Sequence, residues 1–346
     1  MSLPFYAHSA NSKNEWEPLA RHLCLVARLA ADFAAEFGER ERAYAAGLLH
    51  DLGKYGDKFQ AVLRGKEKGV DHWSAGAWFA LTRYKQAGLA VALAIQGHHI
   101  GLQQANKAAL AKLDPTQPRP PEAPQLSEAD FCLLLRRLAE DSLAPPERIQ
   151  GAPAPQGYIA EMLEVRMLFS ALVDADFLAT EAHFDPERSV LRETNEPVNP
   201  AALRLRLEEY LAKVRAASPA TEEVRAVRED LLSACVAASE RPPGLYTLTA
   251  PTGSGKTLAL LEFALRHWER YGRRRLVLVL PFLSIIEQTA AVYREALKTC
   301  PQLLIEDHSL AGFEGQEGDG QKEISHQRAL LAENWDAPLI ITTSVQ

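Results

Sequence analysis

The first half of this 346-residue sequence holds histidines and aspartates of the types that build metal centres. His50 and Asp51 are adjacent within an apolar stretch, and six of the chain's ten histidines lie in the first hundred residues. Four other stretches supply the same residue types: His22, His72, the pair His98 and His99, and the pair Asp174 and Asp176. Neutral imidazoles and ionised carboxylates that converge on one point bind divalent transition metals. Two such metals, about 3.5–4 Å apart, can stabilise both the attacking and the leaving oxygen of a phosphoryl displacement.

Each member of this set has an ordinary explanation when it is taken alone. One His-Asp dipeptide is weak evidence, and His22 could be a hydrogen-bonded histidine of a helix. His98 and His99 could cap a helix, and the two later aspartates could be paired carboxylates. Lys54, one turn after His50, could offer positive charge to a phosphate or be a solvated lysine at a helix end. The joint occurrence of all five stretches favours a metal centre, and His8 is left without a role.

The elements that must position these residues are predicted to be helices. Apolar residues recur at helical spacing through residues 16–110, and an apolar helix over 158–180 carries Asp174 and Asp176. Pro-rich stretches at 114–125 and 144–157 are typical of exposed connections. We therefore expect an all-α domain over residues 1–185.

The pattern changes in the second half of the chain. Two amphipathic helices are predicted within a linker of residues 186–240. Residues 245–249, 276–280 and 338–343 read as short apolar strands, typical of a buried parallel sheet. The alternation of these strands with helices predicts the start of an α/β lobe over residues 241–346.

A glycine-rich loop lies between the first of these strands and a helix predicted over 258–270. Residues 250–257 read APTGSGKT, and the backbone amides of such a loop cradle phosphates at a helix N-terminus. Lys256 would reach the β- and γ-phosphates of ATP, and Thr257 would hold Mg²⁺. The predicted nucleotide-binding residues are Thr252, Gly253, Ser254, Gly255, Lys256 and Thr257. The alternative is a glycine-rich turn with a chance Gly-Lys-Thr.

Composition and charge exclude several classes of protein. The 47% hydrophobic and 24% charged content is ordinary for a soluble protein, and the net charge of −7 excludes a wholly basic nucleic-acid coat. The four cysteines are far apart, which argues against a disulfide framework and fits a reducing compartment. Neither a signal peptide nor a membrane-spanning segment is evident. We therefore expect a cytoplasmic protein that does not enter a membrane.

Taken together, these motifs resemble the nuclease–helicases of type I CRISPR interference, in which an all-α HD nuclease domain precedes a superfamily 2 helicase with RecA-like lobes. The opening residues 5–9 and the linker residues 243–245 resemble the subtype I-C branch. The resemblance covers nearly the whole chain and is carried by these segments: His22, residues 50–54, 72–76, 97–101, 172–176, 248–257, 281–282, 288–289, 306–309 and 341–346.

The resemblance implies roles for individual residues. His22, His50, Asp51 and Asp176 would hold one divalent metal. Asp51 would bridge to a second metal on His72, His98 and His99, and the metals would be Mn, Fe, Co, Ni or Zn. Asp51 and Lys54 would be the catalytic residues. ATP and Mg²⁺ would bind at the phosphate loop.

The same resemblance implies a substrate and a partner. The substrate would be single-stranded DNA, the displaced strand of an R-loop, and the partner a Cascade-type CRISPR surveillance complex. In this family an acidic magnesium motif, a second lobe and an arginine motif follow the region that ends at Gln346. We therefore expect a sequence truncated within the first helicase lobe, which binds ATP but lacks helicase and ATPase activity. Two alternatives stay open: an HD nucleotide phosphohydrolase, and a catalytically silent docking module.

Overall fold

The structure is a computed structural model that describes residues 4–121, 123–150, 157–192, 198–298, 303–307 and 335–344. The chain divides into two compact units, residues 1–189 and 190–346.

The first unit is built almost entirely of helices. They are α1 Leu19–Ala34, α2 Arg40–Leu49, α3 Asp57–Leu63, α4 Ser74–Tyr84, α5 Leu89–Ile100, α6 Lys107–Ala111, α7 Phe131–Glu140 and α8 Tyr158–Phe184, with α9 Pro186–Arg192 at the division between units. Short 3₁₀ turns follow α1, α2 and α4, at Ala35–Phe37, Leu52–Tyr55 and Lys85–Gly88. Two pairs of short strands complete the unit: β1 Tyr6–His8 antiparallel to β2 Glu17–Pro18, and β3 Val70–Asp71 parallel to β4 Gln125–Leu126.

The core of the first unit lies where α1, α2, α5 and α8 pack together. Leu23 and Val26 of α1 are fully buried at helical spacing, as the sequence predicts, whereas Phe33 at the end of that stripe is 38% exposed. Leu49, Val91 and Leu172 bring α2, α5 and α8 into the same core. Because one core joins these helices, side chains that lie far apart in sequence meet at one place.

The second unit combines helices with a small sheet. Its helices are α10 Pro200–Ala217, α11 Glu222–Ser239, α12 Lys256–Tyr271 and α13 Leu283–Leu297, and its strands are β5 Leu276–Val279, β6 Leu304–Asp307 and β7 Leu339–Thr342. The strands are parallel in the order β5-β7-β6, with Leu276 and Leu304 both paired to Leu339. Leu207, Leu265 and Ile286 join α10, α12 and α13 in one core. Leu231 and Cys235 of α11 pack with Ala259 of α12. The two helices of the predicted linker region therefore pack within this unit.

One predicted strand is wrong, and another is less buried than its sequence indicates. Residues 245–249 have no strand pairing in the described part of the chain, and Leu245 is 97% exposed. An apolar run becomes a strand only when a neighbouring strand satisfies its backbone groups, and β5 pairs with β7 alone among the described residues. β5 itself forms where predicted, but Val277 and Val279 on one face are 43% and 52% exposed.

None of the helices in the described part combines the length and the apolar composition that crossing a membrane would need.

Candidate metal centre and phosphate loop

Five parts of the first unit supply the predicted metal ligands. His22 lies in α1, His50 and Asp51 follow α2, His72 precedes α4, His98 and His99 occupy the last turn of α5, and Asp176 lies in α8. The structure brings all seven side chains together in two groups that share Asp51.

The His-Asp pair lies at the end of α2, whereas we expected helices to carry all the predicted ligands. His50 keeps helical dihedral angles (φ −55°, ψ −36°), whereas Asp51 leaves them (φ −112°, ψ 23°). The chain turns here because a 3₁₀ turn follows, in which the Gly53 N–H donates to the His72 carbonyl (2.9 Å) rather than to the helix. A Cβ on Gly53 would lie 2.4 Å from that carbonyl oxygen, so only glycine permits this approach. His72 lies two residues before α4, where Asp71 Oδ1 accepts from the N–H groups of Trp73 (3.1 Å) and Ser74 (2.9 Å).

The first group consists of His22, His50, Asp51 and Asp176, whose ligand atoms all lie within 4.8 Å of one another. Asp51 Oδ2 is 3.1 Å from His50 Nε2 and 3.6 Å from His22 Nε2. Asp176 Oδ1 is 3.2 Å from His22 Nε2 and 3.5 Å from His50 Nε2. Asp174 lies outside this group and accepts a long hydrogen bond from Ser170 Oγ (3.5 Å).

The second group consists of Asp51, His72, His98 and His99. It uses the other oxygen of the same carboxylate: Asp51 Oδ1 is 3.4 Å from His72 Nε2 and 3.8 Å from His98 Nε2. The Nε2 atoms of His72 and His99 are 2.8 Å apart. The two oxygens of Asp51 therefore face the two groups separately.

Backbone carbonyls at Nδ1 fix the orientation of two buried imidazoles. His50 Nδ1 lies 2.7 Å from the Gly47 carbonyl oxygen, and His98 Nδ1 lies 2.6 Å from that of Ile95. A ring that donates Nδ1–H to a carbonyl presents a lone pair at Nε2, which is the tautomer a metal requires.

Several buried polar atoms in the centre lack a hydrogen-bond partner among the described residues. They are Nε2 of His22, His50 and His98, and Oδ1 of Asp51. A buried polar atom without a partner costs about 1–3 kcal/mol, and here four of them converge. Lone pairs from imidazole and carboxylate at one buried point are the donor set that a divalent transition metal takes. The residues therefore fit the metals that the sequence implies.

The charges around each ionisable group of the first group shift its pKa. Burial opposes the charge on His22, but Asp176 and Asp51 outweigh it and raise the pKa of His22 to about 10. Burial likewise opposes the charge on His50, and Asp51 and Asp176 raise its pKa to about 9. Burial works in the other direction on the carboxyl of Asp51, yet His50 and Lys54 hold its pKa well below the usual range. A metal bound here would replace the protons of the imidazoles, so binding would release them.

Two histidines of the second group differ in this respect. Burial lowers the pKa of His72 to about 3 and, with the charge of His98, that of His99 to about 4. His72 and His99 are therefore neutral near pH 7.

Lys54, a predicted catalytic residue, is buried in the centre. Its Nζ lies 2.6 Å from Asp51 Oδ2, and its side chain is 7% exposed. The side chain is thus an ion-pair partner of the shared carboxylate rather than a solvated lysine.

The sequence pattern missed two residues. His8 of β1 and Glu17 of β2 form a third group with His22. The pairing of β1 with β2 places them side by side across eight intervening residues. No spacing in the sequence signals that contact.

The phosphate loop of the second unit adopts a tight turn before α12. Gly253 and Gly255 have positive φ angles of 80° and 85°, which glycine adopts without strain. Lys256 Nζ donates to the carbonyls of Ala250 (2.7 Å) and Pro251 (2.9 Å). The other predicted loop residues are exposed except Ser254, whose hydroxyl donates to Pro251 O (2.7 Å).

Later helicase-type segments are described only in part. Residues 306–307 end β6 and residues 341–342 end β7, whereas residues 308–309 and 345–346 lie outside the described residues.

Two family models match the chain. Residues 19–134 match the HD domain, and residues 220–343 match the res subunit of type III restriction enzymes. The CRISPR-associated nuclease/helicase Cas3 of Haloferax volcanii is 26% identical over 383 residues, which cover 89% of this chain and 39% of the relative.

Solved structures give the same architecture. The match to the crystal structure of T. fusca Cas3 with ADP covers 99% of this chain and 44% of the T. fusca chain, with a TM-score of 0.57 and 20% identity. The match to the crystal structure of a CRISPR-associated protein covers 98% of this chain and 45% of the chain in that structure, with a TM-score of 0.55 and 16% identity. At these identities the likeness shows the fold alone. It confirms the predicted fold class, an all-α HD domain followed by the start of an α/β helicase lobe.

The chain spans about two-fifths of the length of these relatives. The subtype stays a prediction. The chain therefore has an HD domain followed by a region that matches a helicase-type family model, and 89% of it is similar in sequence to the CRISPR-associated nuclease/helicase Cas3 of Haloferax volcanii.

Proposed function

We propose that this chain is a metal-dependent HD nuclease that hydrolyses single-stranded DNA, joined to a helicase-type unit that binds ATP. The observation that carries the proposal is the position of Asp51. One of its oxygens faces His22 and His50, and the other faces His72 and His98. A carboxylate in that position suits a bridge between two metal ions.

Two metals would use the ligands in two sets. His22, His50, Asp51 and Asp176 would hold one, and Asp51 with His72, His98 and His99 would hold the other. When bound, such metals supply Lewis acidity to a phosphoryl oxygen and lower the pKa of water. Donors of this type suit Mn, Fe, Co, Ni or Zn.

The protein's own residues set the conditions for hydrolysis. Gly47 and Ile95 hold His50 and His98 with Nε2 toward the centre. Lys54 neutralises part of the charge of Asp51 at 2.6 Å, and it would assist a negatively charged phosphate. These contacts pre-organise the ligands before substrate arrives, which saves reorganisation during the reaction.

Part of the centre is exposed to solvent. His22, His50 and Asp51 are buried, whereas His99 is exposed and the side chain of Asp176 is 22% exposed. A scissile phosphate would therefore approach past His99 and Asp176. The ring of Trp73 lies 5.5 Å from that of His99 and could stack a nucleobase of a single strand.

Likeness to relatives named CRISPR-associated nuclease/helicases supports the choice of substrate and partner. The substrate would be the displaced strand of an R-loop, delivered by a Cascade-type surveillance complex. The net charge of −7 supports a need for delivery, since tight unaided binding to DNA depends on clustered positive charge. Cys24, Cys132 and Cys235 are free thiols, which supports a cytoplasmic location.

The phosphate loop supports ATP binding with Mg²⁺. Lys256 lies at the start of α12 beside two glycines with left-handed backbone, and its Nζ would exchange loop carbonyls for the β- and γ-phosphates. Thr257, the next residue, is exposed and would hold Mg²⁺.

A cleavage assay with defined metals tests the proposal. The purified chain is stripped with a chelator and then given Mn²⁺, Fe²⁺, Co²⁺, Ni²⁺ or Zn²⁺ singly, without ATP. The substrates are labelled single-stranded DNA, duplex DNA and free deoxynucleoside triphosphates. We expect cleavage of single-stranded DNA, abolished in Asp51→Asn and in Asp176→Asn, because each substitution removes an ionised ligand.

Asp174→Asn is the matched control, because it removes a carboxylate two residues away on the same helix and outside both groups. It should cut like the unchanged protein. Hydrolysis of free nucleotides alone would instead indicate a nucleotide phosphohydrolase. No cleavage of any substrate with any metal would indicate a docking module, and unchanged cleavage by folded Asp51→Asn would refute the site.

A further inference from the structure

Glu17 lies behind the metal centre and outside both ligand groups. Its Oε2 is 2.7 Å from His8 Nδ1 and 3.5 Å from His22 Nδ1. The carboxylate is nearly buried, with 5% of its side chain exposed, and it belongs to β2, which pairs with β1. Glu17 therefore contacts a proposed metal ligand on the face opposite to the metal.

Two other buried ligands have a hydrogen-bond acceptor at the ring nitrogen that faces away from the metal centre. His50 and His98 each place Nδ1 against a backbone carbonyl oxygen of their own helix, at 2.7 Å and 2.6 Å. His22 Nδ1 is buried and makes no well-aligned hydrogen bond among the described residues. Glu17 Oε2 lies 3.5 Å from this nitrogen, which is the ring nitrogen that contacts a backbone carbonyl in His50 and His98.

Two imidazoles adjoin this carboxylate, and the rings of His8 and His22 meet edge to face with their centroids 4.9 Å apart. An ionised carboxylate accepts a stronger hydrogen bond than a neutral carbonyl and makes the opposite nitrogen of the ring more basic.

We propose that Glu17 is a positioning residue of the metal centre: it accepts the Nδ1–H of His22 and directs the Nε2 lone pair of that ring toward Asp51 and Asp176, while His8 holds the carboxylate in place. This role rests on the proposed metal-dependent function. Glu17 does not touch the metal, and it acts on metal affinity through His22. Partners of this kind typically contribute 10–100-fold to metal affinity.

The test measures metal binding rather than cleavage. Co²⁺ is titrated into metal-free protein and followed by its visible absorption, with stoichiometry from elemental analysis. Glu17→Gln keeps an acceptor but removes the charge, and Glu17→Ala removes both. We expect Co²⁺ affinity to fall about 10–100-fold in Glu17→Ala and less in Glu17→Gln, with a shifted Co²⁺ spectrum and two metals still bound at saturation.

Two further variants separate positioning from general structure. Glu15→Gln, an exposed carboxylate two residues earlier, should leave affinity and spectrum unchanged. Glu17→Asp should restore part of the affinity that Glu17→Ala loses.

The outcomes distinguish the inference from the function on which it rests. An unchanged protein that binds no transition metal would overturn both. If the unchanged protein binds two metals and folded Glu17→Ala binds them with equal affinity and spectrum, the positioning role is wrong and the proposed function stands. Loss of one whole metal equivalent with unchanged affinity for the rest would show that His8, Glu17 and His22 are themselves a cation site, which also overturns the positioning role.

Discussion

The two units build their candidate sites in opposite ways. The metal centre collects seven side chains from five parts of the first unit, and most of its ligand atoms are buried. The phosphate loop is one continuous segment, and most of it is exposed. The first site therefore depends on tertiary packing throughout its unit, whereas the second depends on the local conformation of a few residues. Changes in packing should affect the first far more than the second.

The largest expected effect comes from Gly76 of α4. A Cβ at this position would lie 1.8 Å from the carbonyl oxygen of Leu49, the residue before His50. That contact is with backbone, so α4 must move away from the end of α2. We expect Gly76→Ala to destabilise the first unit by about 3 kcal/mol and to weaken metal binding.

Hydrogen exchange measured by mass spectrometry checks this expectation for each unit separately. Peptides from α2 and α4 should lose protection, while peptides from α12 and α13 should not. Gly244→Ala is the control, since the nearest atom to its Cβ would be 3.9 Å away. Equal loss of protection in both units would show that they do not unfold independently.

The same contrast explains what the sequence could predict. The phosphate loop could be predicted because its residues are consecutive, and the candidate metal ligands because five stretches of one helical domain all carry histidine or aspartate. The short strands of the first unit were not recognisable. β1 and β2 each span two or three residues, so they carry no periodicity, and the contact of His8 with Glu17 exists only after they pair.

The failed strand prediction has a related cause. Residues 245–249 (LYTLT) and β5 (LVLV) were both predicted as strands, but only β5 has a neighbour to pair with among the described strands. Apolar composition reports burial rather than hydrogen bonding. The end of α2 at Leu49 could not be predicted from the sequence either, because it depends on the contact between Gly53 and the carbonyl of His72.

A second prediction uses ligands to separate the units. A ligand present at 100 times its dissociation constant stabilises the state that binds it by about 2.7 kcal/mol. Mn²⁺ should therefore protect α1, α2 and α5 from hydrogen exchange, and ATP with Mg²⁺ should protect α12. Lys256→Ala should reduce the ATP effect and leave the Mn²⁺ effect intact, because it removes a charged donor to phosphate.

Lys213→Ala, which removes an exposed lysine of α10, is the matched control and should change neither effect. Protection of α12 by ATP that persists fully in Lys256→Ala would contradict ATP binding at this loop.

The smallest effects come from the helix caps, which occur in matched form in both units. Asp130 Oδ1 accepts from the N–H groups of Cys132 (3.0 Å) and Leu133 (3.3 Å) at the start of α7. Asn199 Oδ1 accepts from those of Ala201 (3.0 Å) and Ala202 (3.3 Å) at the start of α10. Replacing either cap by alanine leaves two N–H groups of the first turn without that acceptor and costs about 1 kcal/mol.

The two substitutions should nevertheless differ in their consequences for the sites. α7 contacts the turn after Asp51, since Arg137 Nη1 donates to the Tyr55 carbonyl (2.6 Å). Asp130→Ala should therefore lower the free energy of unfolding of the first unit and slightly weaken Mn²⁺ binding. Asn199→Ala should lower the free energy of unfolding of the second unit and leave Mn²⁺ binding unchanged.

Denaturant titrations with and without Mn²⁺ measure both quantities. The controls are Asp130→Asn and Asn199→Ser, which keep a capping oxygen. A larger loss of Mn²⁺ affinity in Asn199→Ala than in Asp130→Ala would mean that the metal centre depends on the second unit.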